Sequence, residues 1–225
     1  MILTDHKNVE KQWWQLPNLW LLICLGSFFV VYPLLTELEA AGRTFDILLS
    51  CLIVLALVAQ SNLSRRFWVF FLIVGFLALL GSWSPIKNQA LQLATSAFFV
   101  IFFGFSIGIY CHKLFTEKVV DVDTLLAATC AYVLMGFFFS TLFAVLWQLD
   151  NSAIEFKSEE DTNFNMVYFS FVTLTTLGYG DVVPVSPSAK MLAVFEAIVG
   201  QVFVTIFVAE LVGVHVANRT VDKPV

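Results

Sequence analysis

Charge is scarce in this chain. Only 13% of its 225 residues are Asp, Glu, Lys or Arg, where soluble domains carry about a quarter, so a water-exposed globular surface is excluded. Histidine is nearly missing as well. His6, His112 and His215 stand far apart, which leaves no zinc ligand set, and no Ser/His/Asp grouping, nucleotide-cradling loop or nucleic-acid module appears. No residue is assigned a catalytic role, the chain is read as a non-enzyme, and neither a cofactor nor a nucleic-acid partner is expected. The four cysteines, Cys24, Cys51, Cys111 and Cys130, lack any CxxC spacing. Most lie in or beside apolar stretches, where cysteine packs as a small hydrophobe, so a disulfide framework or metal site is set aside.

Apolar length is what the sequence has in abundance. Hydrophobic residues make up 59% of it and its mean hydropathy is +0.86, the composition of an integral membrane protein. Six mainly apolar runs approach the roughly 20 residues that cross a bilayer: Asn18–Leu35, Phe45–Ala59, Phe67–Trp83, Leu91–Tyr110, Leu125–Trp147 and Lys190–Ala217. Polar links such as "ELEAAGR", "SNLSRR" and "SPIKNQ" separate them, and too few residues remain outside the runs to bury them as soluble helices. Lys7 and Lys11 ahead of the first run raise the alternative of a secretory signal peptide. The long leader and the length of the run favour an uncleaved first helix.

Basic residues favour the cytoplasmic side. With both termini inside, that side holds Lys7, Lys11, Arg65, Arg66, Lys113, Lys118, Arg219 and Lys223, against Arg43, Lys87, Lys157 and Lys190 outside. Trp13, Trp14, Trp20, Trp83 and Trp147 fall near run ends, where an indole keeps its ring apolar and its N–H wet.

Between the fifth and sixth runs the pattern changes. An acidic segment, "DNSAIEFKSEEDTN", leads into a short apolar run, "FNMVYFSFVTL", and then into "TTLGYGD", Thr175 to Asp181. Roughly 11 helical residues span only about 16 Å, so this segment predicts a half-helix that enters from outside, stops midway and hands over to non-helical backbone. Such backbone is tolerated at membrane depth only where protein buries it or water lines it. A cation stripped of water needs replacement oxygens, which a ring of backbone carbonyls provides. Thr176, Leu177, Gly178 and Tyr179 would contribute those carbonyls, the Thr176 hydroxyl the innermost ring, and Gly178 and Gly180 can take positive φ without a Cβ clash. The half-helix would turn its negative C-terminal dipole end toward a waiting cation.

The stretch "TTLGYGD", flanked by a short half-helix and two long helices, resembles the potassium channel superfamily over about Leu125 to Val216. The resemblance implies an all-α membrane protein with six transmembrane helices and a re-entrant pore helix and filter loop between the fifth and sixth, assembled as a tetramer. Thr176, Leu177, Gly178, Tyr179 and Gly180 match the selectivity filter, with permeant K+ at Thr176, Leu177, Gly178 and Tyr179, and Asp181 matches the acidic residue at the outer mouth. Tyr168 falls on an aromatic position that braces the filter and can hydrogen-bond Asp181. Phe169 stands where many members have tryptophan, and Leu177 replaces the commoner valine, so packing behind the filter differs here. Thr175 and Glu196 join Tyr168 and Asp181 as filter support, Glu196 by meeting pore-helix hydroxyls such as Thr173 or Thr175, while Glu210 lies near the inner interface.

Ser186 is a candidate N-cap with Pro187 at the first helical position. Gly200 matches the family's gating hinge, with close helix packing as the alternative. Gln201, Thr205, Val208, Val212 and His215 share one face at helical spacing, read as the cavity lining or as ordinary packing. One loop supplies a quarter of a carbonyl ring, and no second copy occurs in the sequence, so the expected partners are three identical subunits, besides lipid and K+. The fourth run has no charge, so it lacks the transferable charge of a voltage sensor.

The expected organisation is a cytoplasmic segment 1–18, a four-helix membrane module 19–112, a pore domain 124–217 and a short tail 218–225. The expected function is passive, potassium-selective conduction across a plasma membrane, in particular a prokaryotic inner membrane, with both termini cytoplasmic. The alternatives are a non-conducting membrane receptor or subunit on a pore scaffold, and a weakly selective cation channel. Asp150, Glu155, Glu159, Glu160, Asp161 and Asp181 against Lys157 would form an acidic ring at the mouth, or a plain solvated loop.

Overall fold

A computed structural model describes residues 17–36, 65–82, 88–116, 122–157 and 162–221. The second apolar run, Phe45–Ala59, lies outside the described residues, as do His6, Lys7, Lys11, Trp13, Trp14, Arg43, Cys51, Trp83, Lys87, Lys118, Glu159, Glu160, Asp161 and Lys223. The described part is mostly helical: α1 (Pro17–Thr36), α2 (Arg65–Ser82), α3 (Gln89–Thr116), α4 (Val122–Leu149), α5 (Thr162–Leu174) and α6 (Pro187–Val221). One departure from an all-α fold is a short antiparallel ribbon of β1 (Ile154–Phe156) and β2 (Val182–Pro184). Among the described residues three segments are long and apolar enough to cross a membrane, Gln89–Leu114, Val122–Leu149 and Pro187–Glu210, and shorter apolar stretches lie in α1 and α2.

Helix α4 is the hub, packing against α1, α3, α5 and α6. Lipid tails are as apolar as leucine, so membrane helices are held by close packing and hydrogen bonds rather than by escape from water. Aromatic interdigitation supplies the packing. The Phe137 ring of α4 meets Phe28 of α1 at 5.0 Å, Phe171 of α5 at 5.6 Å and Phe103 of α3 at 6.0 Å. Glycines make room for it: a Cβ on Gly136 would sit 2.4 Å from the Phe171 ring.

Polar contacts fix the ends. Lys113 in the last turn of α3 pairs with Asp123 in the first turn of α4 at 2.6 Å, each charge also complementing its own helix dipole. Asn18, near the start of α1, donates to Asp123 at 2.8 Å. At the other end Gln148 of α4 donates to Ser96 of α3 at 3.2 Å. Helix α3 is therefore antiparallel to α4, whereas α1 runs alongside α4 in the same direction. Helix α2 is antiparallel to α3, with Gly81 against Thr95 and Phe70 against Phe105. Thr36 and Arg65 consequently lie at opposite ends of the bundle.

Candidate functional site

Helix α5 starts at the C-terminal end of α4 and runs back along it. Phe169 meets Phe143 at 4.7 Å, and five residues later the Leu174 carbonyl accepts the Tyr132 hydroxyl at 3.2 Å. Its 13 residues reach only about 20 Å, and it stops partway along both α4 and α6. The chain then returns through 175–181 to β2, which pairs with β1: Ile154 faces Pro184, Glu155 faces Val183 and Phe156 faces Val182. A two-stranded ribbon is marginal by itself. This one is pinned because Ile154 and Val182 are buried among Phe143, Met166 and Phe169. Entry and exit of the loop thus lie at one end of the bundle.

The backbone of the loop has a regular alternation. φ is +60° at Thr176, +60° at Gly178 and +74° at Gly180, while Leu177 and Tyr179 between them have no positive φ. Alternating φ sign turns successive N–H groups to one side and the carbonyls to the other. The N–H groups of 176–178 point at the end of α5: Thr176 donates to Thr173 at 2.9 Å, and Leu177 and Gly178 both donate to Val172, at 2.9 and 3.4 Å. The glycines hold this conformation without Cβ strain. Thr176 does not: a β-branched residue at positive φ is an outlier costing about 1–3 kcal/mol, so the surrounding hydrogen bonds hold it there. Its sequence signal was weak, since only the glycines announce positive φ.

At the ribbon end of the loop Tyr168 donates to Asp181 Oδ2 at 2.6 Å. This bond holds the Asp181 carboxyl below the usual aspartate range. Phe169, which has no hydrogen-bonding group, instead turns its ring edge to Phe143, while Tyr179 stands 68% exposed and Leu177 59% exposed. Thr175 bonds back to the Phe171 carbonyl at 2.6 Å. Of the acidic segment, Asp150 is folded into a turn, accepting the Ser152 N–H and hydroxyl, and the hydroxyl bond leads in holding its carboxyl low. That turn leads into β1 of the ribbon.

Helix α6 begins where the sequence predicts, with Ser186 Oγ accepting the Ala189 N–H at 3.1 Å and Pro187 in the first turn. Glu196 is fully buried against α5, but its partner is Ser170 at 2.5 Å rather than Thr173 or Thr175. Sequence reasoning passed over Ser170 although it is a lone small hydroxyl between aromatic neighbours. Gly200 sits against the end of α5, and a Cβ there would come within 2.7 Å of the Leu174 carbonyl oxygen. The helix continues through Gly200 unbroken. Gln201, Thr205, Val208 and Val212 are exposed, but so are Val202, Val204 and Ile206, so exposure in one chain does not single out a face. Glu210 is exposed; the His215 side chain is outside the described residues. Among the described residues no cluster of three or more His, Cys, Asp or Glu could hold a metal ion.

Residues 127–216 match the family model described as "Ion channel". Among curated proteins, the chain is similar to "Two pore potassium channel c" of Oryza sativa subsp. japonica, 41% identical over 46 residues. That match covers 20% of this chain and 10% of the relative, so the chain spans only a small part of it. No solved structure matches.

Proposed function

We propose, from the premise that residues 127–216 are a pore domain of the potassium channel superfamily, that this chain forms a homotetrameric, potassium-selective channel. The observation that carries the reading is the alternating φ at Thr176, Gly178 and Gly180 on a loop that directly follows a half-helix. Four such loops around an axis would line a path with carbonyl rings from Thr176, Leu177, Gly178 and Tyr179, plus the Thr176 hydroxyl. Those oxygens replace the hydration shell of a dehydrating K+. Four α5 helices would aim their C-terminal ends inward, stabilising a cation in the cavity below and disfavouring an anion. At the mouth, Asp181 stays ionised through its bond from Tyr168 and adds negative potential.

Assembly is supported by what one chain leaves uncovered. Leu177 and Tyr179, together with Met191, Val194, Phe195 and Ile198 along α6, are exposed, a surface suited to neighbouring copies and lipid. Six spans are supported by helix direction, since Thr36 and Arg65 lie at opposite bundle ends, and cytoplasmic termini by the tally of basic residues. Conventional voltage gating is not part of the reading, because α3 carries no Lys or Arg before Lys113 in its last turn. A plasma membrane, in particular a prokaryotic inner membrane, is the proposed location. The Gly200 hinge and the lining by Gln201, Thr205, Val208 and Val212 belong to the same proposal.

The test is passive potassium flux from purified protein in liposomes, together with the native mass of the assembly. Flux and a mass of four chains are expected. A monomeric mass without flux would reject the reading, and an assembled but silent protein would favour a scaffold or receptor subunit.

A further inference from the structure

One hydroxyl in the protein interior has two oxygen neighbours. Ser170 Oγ lies 2.7 Å from the Gly136 carbonyl oxygen and 2.5 Å from Glu196 Oε1. A serine hydroxyl owns one proton and a carbonyl oxygen none. Two oxygen contacts at hydrogen-bonding distance need two protons, and the remaining candidate to supply the second is the Glu196 carboxyl. The separation suits a strong O–H···O bond.

The surroundings agree. Glu196 is 0% exposed, and its Oε2 has no hydrogen-bond partner. An ionised carboxylate offers about four acceptor sites and would here have one donor at most, which makes burying the charge costly. A neutral acid needs far less: its O–H goes to Ser170 and only a carbonyl oxygen stays bare. From α5 the group facing Glu196 is the neutral Ser170. From α4 the titratable group in electrostatic reach is Tyr132, whose hydroxyl is directed at Leu174. Glu196 has no ion pair among the described residues.

We propose that Glu196 is held as a neutral carboxylic acid whose proton closes a relay, Glu196 to Ser170 to the Gly136 carbonyl, clasping α5 to α6 and α4 at once, so that alkaline pH undoes a support of the re-entrant loop. Ser170 is one turn before Leu174, where α5 hands over to the loop. When the carboxyl loses its proton, Ser170 has a single proton for two acceptors and must release one neighbour. Glu196 and Ser170 are thus positioning residues, and the effect on conduction rests on the channel reading above. The effect on the proton does not.

The experiment separates the two. Infrared spectra of the wild-type protein in liposomes, differenced against Glu196→Gln, should show at neutral pH the carbonyl stretch of a protonated acid, toward the high-frequency end expected of a C=O that accepts no hydrogen bond. The band should vanish on alkaline titration, in step with loss of potassium flux. Glu196→Gln, whose amide can still donate to Ser170, should conduct without that alkaline loss. Absence of the band at neutral pH would overturn the proposal whether or not the protein conducts. A band whose loss leaves flux untouched, or an unaltered alkaline loss in Glu196→Gln, would overturn the alkaline-sensitive support. If no variant conducts, the channel reading fails and the infrared band still decides the protonation state.

Discussion

At the scale of single residues, conformation rather than side-chain chemistry dominates the proposed site. Gly178 has φ +60° and open space where a Cβ would go, so Gly178→Ala would cost about 1–2 kcal/mol per chain from left-handed backbone strain alone. An alanine that relieves the strain by reversing φ would turn a carbonyl out of the proposed ring. Assembly of this variant should survive while potassium flux in liposomes is lost; unchanged flux would contradict the alternation argument. Tyr168 and Asp181 give a pH-dependent counterpart. The Asp181 pKa is lowered from 3.8, so the hydrogen-bonded carboxylate contributes support above that value and the contribution is lost as pH falls through the lowered one. Tyr168→Phe should shift acid loss of flux to higher pH, read from flux against external pH. The sequence made the glycine positions legible because only glycine reaches positive φ freely. Thr176 at φ +60° was not legible, since its conformation is imposed by the end of α5.

At the scale of elements, the contact of α6 with α5 bears on Gly200. A Cβ there would lie 2.7 Å from a backbone oxygen and 2.8 Å from Leu174 Cδ1, and the backbone oxygen cannot step aside as a flexible side chain does. Gly200→Ala should therefore destabilise the protein by about 1–3 kcal/mol through overpacking, seen as a lower thermal midpoint. A variant with wild-type midpoint and altered opening would instead assign the glycine to hinge motion alone. The short α5 was legible from its apolar length between two polar flanks, and the start of α6 from Ser186 and Pro187. The ribbon was not: three-residue strands show no alternation, and β1 meets its partner only after α5 and the loop intervene. The relay of Gly136, Ser170 and Glu196 was only half legible, because a buried carboxylate stands out in an apolar sequence whereas its partner depends on how α5 rotates against α6.

At the scale of the whole molecule, composition alone was enough to read a multi-pass membrane protein, and one heptad to suggest an ion channel. How the first helices sit on the proposed pore segment was not readable from runs of Phe and Leu, which pack equally well against lipid or protein. The structure brings α1 directly onto α5, with Phe29 on Phe171 at 4.8 Å and Tyr32 stacked on Phe164 at 5.3 Å. Phe29 and Tyr32 of α1 thus pack against the helix that precedes the loop. The central claim is that carbonyl oxygens of Thr176 to Tyr179 choose the ion. It is tested most directly by the reversal potential of the purified protein in a bilayer separating potassium from sodium. The reversal potential should lie close to the potassium equilibrium value; one midway between the potassium and sodium values would rule out selection by these carbonyls.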